Sequence, residues 1–583
     1  MRMELCMPEY DNPAIAAILD TTADLLEIAG ADRFRFLSYH KAAHAVRAWP
    51  EDINALASQE RLTDIPGVGK KLAANIASIL ARGSFPEFDE LTAELPPTLV
   101  ALMQVPGVGP KKARTLYDRL GVTSIDDLEV ALADGRVAAL QGFGDRTAVN
   151  IAAGIQSYRT FGARTLLADA LPLAEKVADS LRAHPAALAA ETAGSVRRGK
   201  ETVGDIDVLV ASHDSPAIME AARTLPIVTR VLASGETKTS VETTAGLQVD
   251  VRVVAPDEWG AALQYFTGSA EHNVRLREIA KGLGLKVSEY GVFRVDTGER
   301  CVSDSEEAVY AALGMATPPP ELRENAGEFE SAVAGTLPTL VTLADILGDL
   351  HCHTTATDGK STLEANKAKA AQLGYEYLAI TDHAWRLRMV GGLDLDDLER
   401  QWARIDELNA EGGPVLLKSI ELNIDDEGGV DYPEEVLSRF DVCIASLHSG
   451  WGQPREVGTN RLLRAMENPY IDIIGHPTGR ILRRREPIEF DMDAICEKAA
   501  ETGTALEIDA YPDRLDLSDA HLRIAMRHGV RISMGCDAHE ASQMHFMRYG
   551  ISTARRGWVT PDVVLNTHPL EEMLALLKRN RTA

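Results

Sequence analysis

Beyond residue 341 the chain repeats one pattern. Short apolar runs, "EYLAITDH", "DVCIASLH", "IDIIGH", "TALEIDAY" and "VRISMGCDAH", alternate with helical segments, and nearly every run ends in His, Asp or Glu. Runs that are apolar on both faces suit strands buried on both sides, as in a parallel sheet covered by helices. This rhythm predicts a parallel α/β barrel, whose chemistry gathers at the C-terminal ends of its strands. A barrel of this kind uses less than half of the 583 residues, so further domains must precede it.

The strand-end residues are His351 and His353 in "DLHCHTTATDG", with Asp358 five residues on, and His383 in "AITDHA", with Asp382 beside it. Glu421, His448, His476, Asp537 and His539 complete the series. A lone histidine at a strand end is usually a hydrogen-bonded structural residue, but a series closing successive strands points to metal. Imidazole and carboxylate ligands without cysteine suit Zn²⁺ or Mn²⁺, in a cluster of two or three ions. Cys352 should face away from its two histidine neighbours. His521, His528, His545 and His568 fall outside the pattern and read as surface or structural residues.

Upstream, "GSVRRGKETVGDIDVLV" (194–210) puts Asp205 and Asp207 in an apolar run. Side chains two apart on a strand project together. In "LQVDVRVVAP" (247–256) Val249, Val251 and Val253 take one face and Gln248, Asp250 and Arg252 the other, so a neighbouring strand adds a third carboxylate. Three converging carboxylates suit two divalent ions placed for in-line phosphoryl transfer. Solvated aspartates on an edge strand are the plain alternative, favoured by the net charge of −27. Ser195 and Arg198 argue against it, since they are placed to bind a triphosphate.

At the N-terminal end, "IPGVGKK" and "VPGVGPKK" repeat one turn between helices. Gly67 and Gly69, and Gly107 and Gly109, leave backbone amides open at a helix start, an anion site that Lys71 and Lys111 extend. This fits helix-hairpin-helix contacts to the DNA backbone, although a plain packing unit has the same outline. A looser third copy, "LQGFGDRTAVNIAAGI", reads as structural. Neither half of the chain is basic overall, so DNA contact must come from such local clusters. The opening residues lack a signal-peptide core, no apolar run reaches membrane length, and six cysteines without a CxxC pair fit reduced thiols in the cytoplasm.

The stretches "GSVRRGKETVGDIDVLV", "VDVRVV" and "YFTGSAEHNVRLREIAKGLGLKVSEYGVF" resemble the palm and nucleotide-binding motifs of family X DNA polymerases, the DNA polymerase beta group. The resemblance implies Asp205, Asp207 and Asp250 as metal ligands for Mg²⁺ or Mn²⁺, and Ser195, Arg198 and Gly204 on the triphosphate of a dNTP. It further implies Tyr265, Phe266 and Gly268 at the sugar, Asn273 at the incoming base and Arg277 at the template. Arg35, Tyr39 and Lys71 match a pocket for the 5′-phosphate of gapped DNA. Asn75 stands where animal members carry a Schiff-base lysine, and an amide forms no imine. Lys41 or Lys70 would have to substitute for a lyase activity.

The last part resembles a PHP (polymerase and histidinol phosphatase) domain, which implies a distorted (βα)₇ barrel that hydrolyses phosphoesters and takes the nine strand-end groups as ligands. Arg480, Arg483 and Arg484 would receive DNA backbone or form a solvated run. The expected fold is multidomain: an 8-kDa-like helical domain (1–85), a fingers-like domain (86–160), a mixed-sheet palm (161–245 and 246–319), a linker (320–340) and the barrel (341–583). The expected protein is a gap-filling polymerase with 3′–5′ exonuclease activity, monomeric and without membrane contact. Two further readings are a phosphoesterase docked on DNA by its polymerase half, and a barrel that only braces the polymerase.

Overall fold

The computed structural model describes residues 10, 12–49, 53–65, 67–103, 105, 107–161 and 164–580. Cys6 with the opening stretch, and Pro66 and Pro106 of the two PGVG turns, lie outside the described residues. The chain divides into two compact units. One runs to Thr165 and includes Asp169–Val196 and Thr202–Phe266; the other comprises Leu166–Ala168, Arg197–Glu201 and the chain from Thr267 onward.

The first unit begins with a helical hairpin, α1 (Asn12–Ile28) and α2 (Arg33–Ala48). Helix α3 (Lys70–Arg82) buries Leu72, Ile76 and Ile79, spaced four and three apart on one face. It stops at Gly83, whose φ of 77° is left-handed and whose N–H returns to the Ile79 carbonyl. Helix α4 (Pro86–Glu94) follows, and α5 (Pro110–Leu120) repeats the design of α3, ending on left-handed Gly121. The two hairpins belong to separate apolar clusters, one around Tyr39, Ile76 and Phe85, the other around Leu102, Leu116 and Ile151.

The palm is a five-stranded mixed sheet of β1 (Ala189–Thr192), β2 (Ile206–Ala211), β3 (Val228–Ser234), β4 (Lys238–Thr243) and β5 (Gln248–Val254), in the order β1-β2-β5-β4-β3. Strands β2 and β5 are parallel, and every other neighbouring pair is antiparallel. Val249, Val251 and Val253 are buried on one face of β5, as their alternation predicts.

In the second unit seven parallel strands neighbour one another in chain order: β6 (Gly348–Asp349), β7 (Tyr377–Ile380), β8 (Val415–Asn423), β9 (Val442–Ser446), β10 (Ile473–Gly475), β11 (Ala505–Asp509) and β12 (Ile532–Gly535). The ring closes where the chain leaves β6 and β12: Leu350 N–H donates to Met534 O, and Cys352 bridges Ala538. This is the (βα)₇ barrel, filled by Leu350, Tyr377, Leu417, Ile444 and Ile473. Gly348 is required at its position, because a Cβ there would lie 2.4 Å from the Tyr377 ring.

The stretch expected as a linker is not one. Arg323, Glu328 and Phe329 are buried, and the helix Glu328–Ala334 interrupts it. Its acids, which suggested solvation, have basic partners: Glu328 meets buried His272 at 2.7 Å, and Glu324 accepts from half-buried Arg198 at 3.0 Å. Among the described residues no helix is long and apolar enough to cross a membrane.

Candidate active sites

In the palm, Asp207 on β2 stands in register with Asp250 on β5, and Asp205 precedes β2 on the same side. Ligand oxygens of all three lie within 4.8 Å of one another. Gly194 makes this possible, since a Cβ there would lie 2.2 Å from Asp207 Oδ2. Burial, then the charges of Asp205 and Asp250, push the Asp207 carboxyl up to about 6. Such a shift is what burial beside like charges produces, and a bound cation would relieve it. Burial also acts to raise Asp250, but bonds from Lys238, Ser240 and Gln248 outweigh it and hold that group below the usual carboxylate range. Lys238 Nζ on β4 sits 2.6 Å from Asp250 Oδ2. The sequence reading missed this lysine, because only the sheet order brings it there.

Ala193, Asp207, Lys238, Asp250, Arg252 and Phe266 line a cavity of about 110 Å³. Tyr265 and Phe266 meet edge to face at 5.1 Å, and the Arg252 guanidinium lies 4.4 Å over the Phe266 ring. Ser195 is half-buried and Gly204 exposed in the same unit. The other expected nucleotide contacts, Arg198, Gly268, Asn273 and Arg277, belong to the second unit. There Arg198 engages Glu324 and the Thr267 carbonyl, and Arg277 is exposed.

The hairpin turns have the open helix starts expected of them. Gly67 and Gly107 have φ of 76° and 89°, and Gly69 and Gly109 cap α3 and α5 without any side-chain hydrogen bond. Lys111 is exposed, whereas Lys112 donates to the Gly107 carbonyl at 2.8 Å. Arg35, Tyr39 and Lys71 do converge, and they converge on Glu87. Asn75 joins them, its amide donating to the Tyr39 hydroxyl at 2.9 Å.

In the barrel all nine strand-end groups meet at the C-terminal rim. His353, Asp358, His383 and His539 form one set; His351, His353 and Asp537 a second; His383, Glu421 and His448 a third. Shared histidines link the sets, and His476 Nε2 joins through Glu421 Oε1 at 2.8 Å. His353 Nε2 lies 3.0 Å from Asp537 Oδ1, and His383 Nδ1 lies 2.8 Å from Glu421 Oε2. Yet both ring nitrogens, with His351 Nε2, Asp358 Oδ1 and Glu421 Oε2, are buried without a hydrogen-bond partner. Buried polar atoms that approach closely without bonding one another suit a shared cation, so the residues fit a metal cluster. Burial opposes ionisation of Glu421 and Asp537, but the surrounding histidines outweigh it and hold both well below the usual carboxylate range. His476 and Asp537 also adopt positive φ, 24° and 47°, the backbone strain that functional sites retain.

Residues that no motif named hold this rim. Glu507 on β11 meets His351 Nδ1 at 2.7 Å and accepts from His476 N–H at 2.6 Å. Asn423 meets His448 Nδ1 at 2.7 Å. Asp382 is no ligand: it accepts from Thr354 N–H at 2.8 Å and Gln401 Nε2 at 2.7 Å, fixing the loop that carries Asp358. Cys352 points away, its sulfur accepting from Asn366 at 3.2 Å. Arg480, one of the expected backbone contacts, is bound to Glu201 at 2.6 Å and donates to the Arg514 carbonyl, which removes it from that role.

A polymerase-type palm and a histidine-rimmed (βα)₇ barrel in one chain define a two-site phosphoryl-transfer protein. Models of the DNA polymerase beta palm and thumb match residues 169–270 and 262–324. A helix-hairpin-helix domain matches 10–85, and a SAM-like helix-hairpin-helix tandem matches 99–157. The DNA polymerase/3'-5' exonuclease PolX of Bacillus subtilis (strain 168) is 36% identical over 569 residues, 97% of this chain and 99% of its own length. DNA polymerase lambda of Rattus norvegicus is 27% identical over 52% of this chain and 55% of its own. A probable phosphatase of Thermoanaerobacter sp. (strain X514) is 31% identical over 38% of this chain and 89% of its own. The chain belongs to the PolX family, the family X DNA polymerases that carry an exonuclease.

Proposed function

We propose that this protein fills short gaps during DNA repair by template-directed nucleotidyl transfer and trims 3′ ends at its barrel. Asp205, Asp207 and Asp250 would hold two Mg²⁺ or Mn²⁺ ions. The nine barrel residues, His351, His353, Asp358, His383, Glu421, His448, His476, Asp537 and His539, would hold two or three Mn²⁺ or Zn²⁺ ions. When bound, such ions offset the charge that grows on a transferred phosphate and make an attacking hydroxyl more acidic.

The chain's own residues do the rest. Asp207, pushed up to about 6 by burial and its two neighbours, is crowded by like charge that arriving cations would offset. Ser195, Arg198 and Gly204 would contact the triphosphate, Tyr265, Phe266 and Gly268 the sugar, and Asn273 and Arg277 the base and template. The hairpin amides and Lys111 would hold backbone phosphates without reading sequence. In the barrel, Glu507 and Asn423 fix the ring orientation of His351 and His448. It would work as a monomer in the cytoplasm, where chromosome and dNTPs meet.

The observation that carries this reading is the pair of converging acidic and imidazole clusters, one in each unit. The test is a one-nucleotide gapped duplex incubated with Mg²⁺ or Mn²⁺, with and without dNTPs. Asp205→Ala should abolish extension and spare 3′ degradation; His351→Ala should do the reverse. Degradation without extension in the unaltered protein would favour a phosphoesterase docked on DNA by its polymerase half. Extension without degradation would favour a barrel that only braces the polymerase.

A further inference from the structure

Three donors of the first helical hairpin region are gathered on one carboxylate. Arg35 on α2 places Nε at 3.0 Å and Nη2 at 2.7 Å from Glu87 Oε1. The Tyr39 hydroxyl donates to Glu87 Oε2 at 2.7 Å, and Lys71 Nζ on α3 lies 2.7 Å from the same oxygen. Asn75 donates to the Tyr39 oxygen, which commits the phenolic proton to Glu87. The Tyr39 ring is buried and stacked on Phe85 at 6.0 Å, so this donor does not wander. Burial opposes ionisation of Glu87, yet its three partners outweigh it and lower the carboxyl to about 2.

Two cations and a hydroxyl facing one anion leave a net positive site. Its two cations also remain within reach of solvent: the side chains of Arg35 and Lys71 are 51% and 71% exposed, against 13% for Glu87. Glu87 itself sits in the first turn of α4, on a flexible side chain with staggered alternatives. A terminal phosphate offers three acceptor oxygens and nearly two charges, against two oxygens and one charge for a carboxylate. A phosphodiester in the middle of a strand carries a single charge and has less advantage.

We propose that Glu87 is a built-in anionic competitor for the 5′-phosphate at a gap's downstream end, and so sets how strongly the protein distinguishes phosphorylated from unphosphorylated ends. The proposal rests on the DNA-binding reading above. When the phosphate arrives, Arg35, Tyr39 and Lys71 exchange one anion for another, and Glu87 turns to solvent.

The test uses the full chain and one-nucleotide gapped duplexes with phosphorothioate 3′ ends, carrying either a 5′-phosphate or a 5′-hydroxyl downstream. Dissociation constants are read by fluorescence anisotropy for the unaltered protein, Glu87→Gln and Glu87→Ala. Both variants should raise the phosphate-to-hydroxyl affinity ratio about tenfold, the scale of one charge-assisted contact. Adding Arg35→Gln to Glu87→Gln should cancel the gain, which a change of fold elsewhere would not do. A ratio that stays the same or falls in both Glu87 variants overturns the proposal. Failure of every protein to bind either duplex overturns the DNA-binding reading itself, and this proposal with it.

Discussion

Glu507 offers a direct test of how the barrel site is held. Both of its oxygens are used, one on His351 Nδ1 at 2.7 Å and the other on the His476 N–H at 2.6 Å. Because Nδ1 faces this carboxylate, Nε2 of His351 is left as the ligand atom, 3.6 Å from Asp537 Oδ1. Glu507→Gln keeps the shape but replaces one acceptor oxygen with an NH₂ that faces a donor. One buried charge-assisted bond is lost, at about 1.5–3 kcal/mol. That matches the roughly 10- to 100-fold loss of metal affinity usual when such a supporting carboxylate is removed. Titration of 3′-end degradation with Mn²⁺ should therefore shift its midpoint upward by about 10- to 100-fold, with activity recovered at saturation. Calorimetric Mn²⁺ binding should weaken in parallel, while gap filling is unchanged. An unmoved midpoint would refute the reasoning, and so would an equal loss of gap filling, which would signal unfolding instead.

Four further outcomes follow from the geometry. Asp207→Asn should reduce gap filling at least about 100-fold in single-turnover extension assays, with 3′ degradation intact. Glu306, lowered to about 2 because Arg197 and Arg323 outweigh its burial, stabilises the second unit by about 3 kcal/mol above the ordinary carboxyl value of 4.5. That contribution is lost as pH falls towards 2, so urea unfolding of Glu306→Gln should differ most from the unaltered protein at neutral pH and converge with it in acid. Lys111→Glu should weaken DNA binding and reduce the slope of log affinity against log salt by about 1, measured by anisotropy. Gly348→Ala, whose Cβ would strike the Tyr377 ring and carbonyl, should destabilise the barrel by about 1–3 kcal/mol in thermal unfolding.

The sequence showed the reacting groups better than what holds them. Asp205, Asp207 and Asp250 were legible because strand alternation is local, and the nine barrel residues because they follow the ends of successive apolar runs. Glu507 and Asp509 also lie two apart in an apolar strand, the same signal as Asp205 and Asp207, but no motif drew attention to them. Lys238 and Glu87 gave no local signal at all. Lys238 meets Asp250 only through sheet order, and Glu87 reaches Arg35 across 52 residues. The acid- and proline-rich stretch near residue 320 misled for a related reason. Composition records charge but not its partner, and Glu328 and Arg323 find theirs in the interior.

The ring closure ties the two ends of the barrel into one site. His351 and His353 leave the opening strand, while Asp537 and His539 leave the final one, and these four stand together only once Cys352 reaches Ala538. A chain whose final strand has not joined the ring lacks a complete cluster, even though its other ligands are in place. The barrel site is thus a product of closure, whereas the palm aspartates converge within a single sheet.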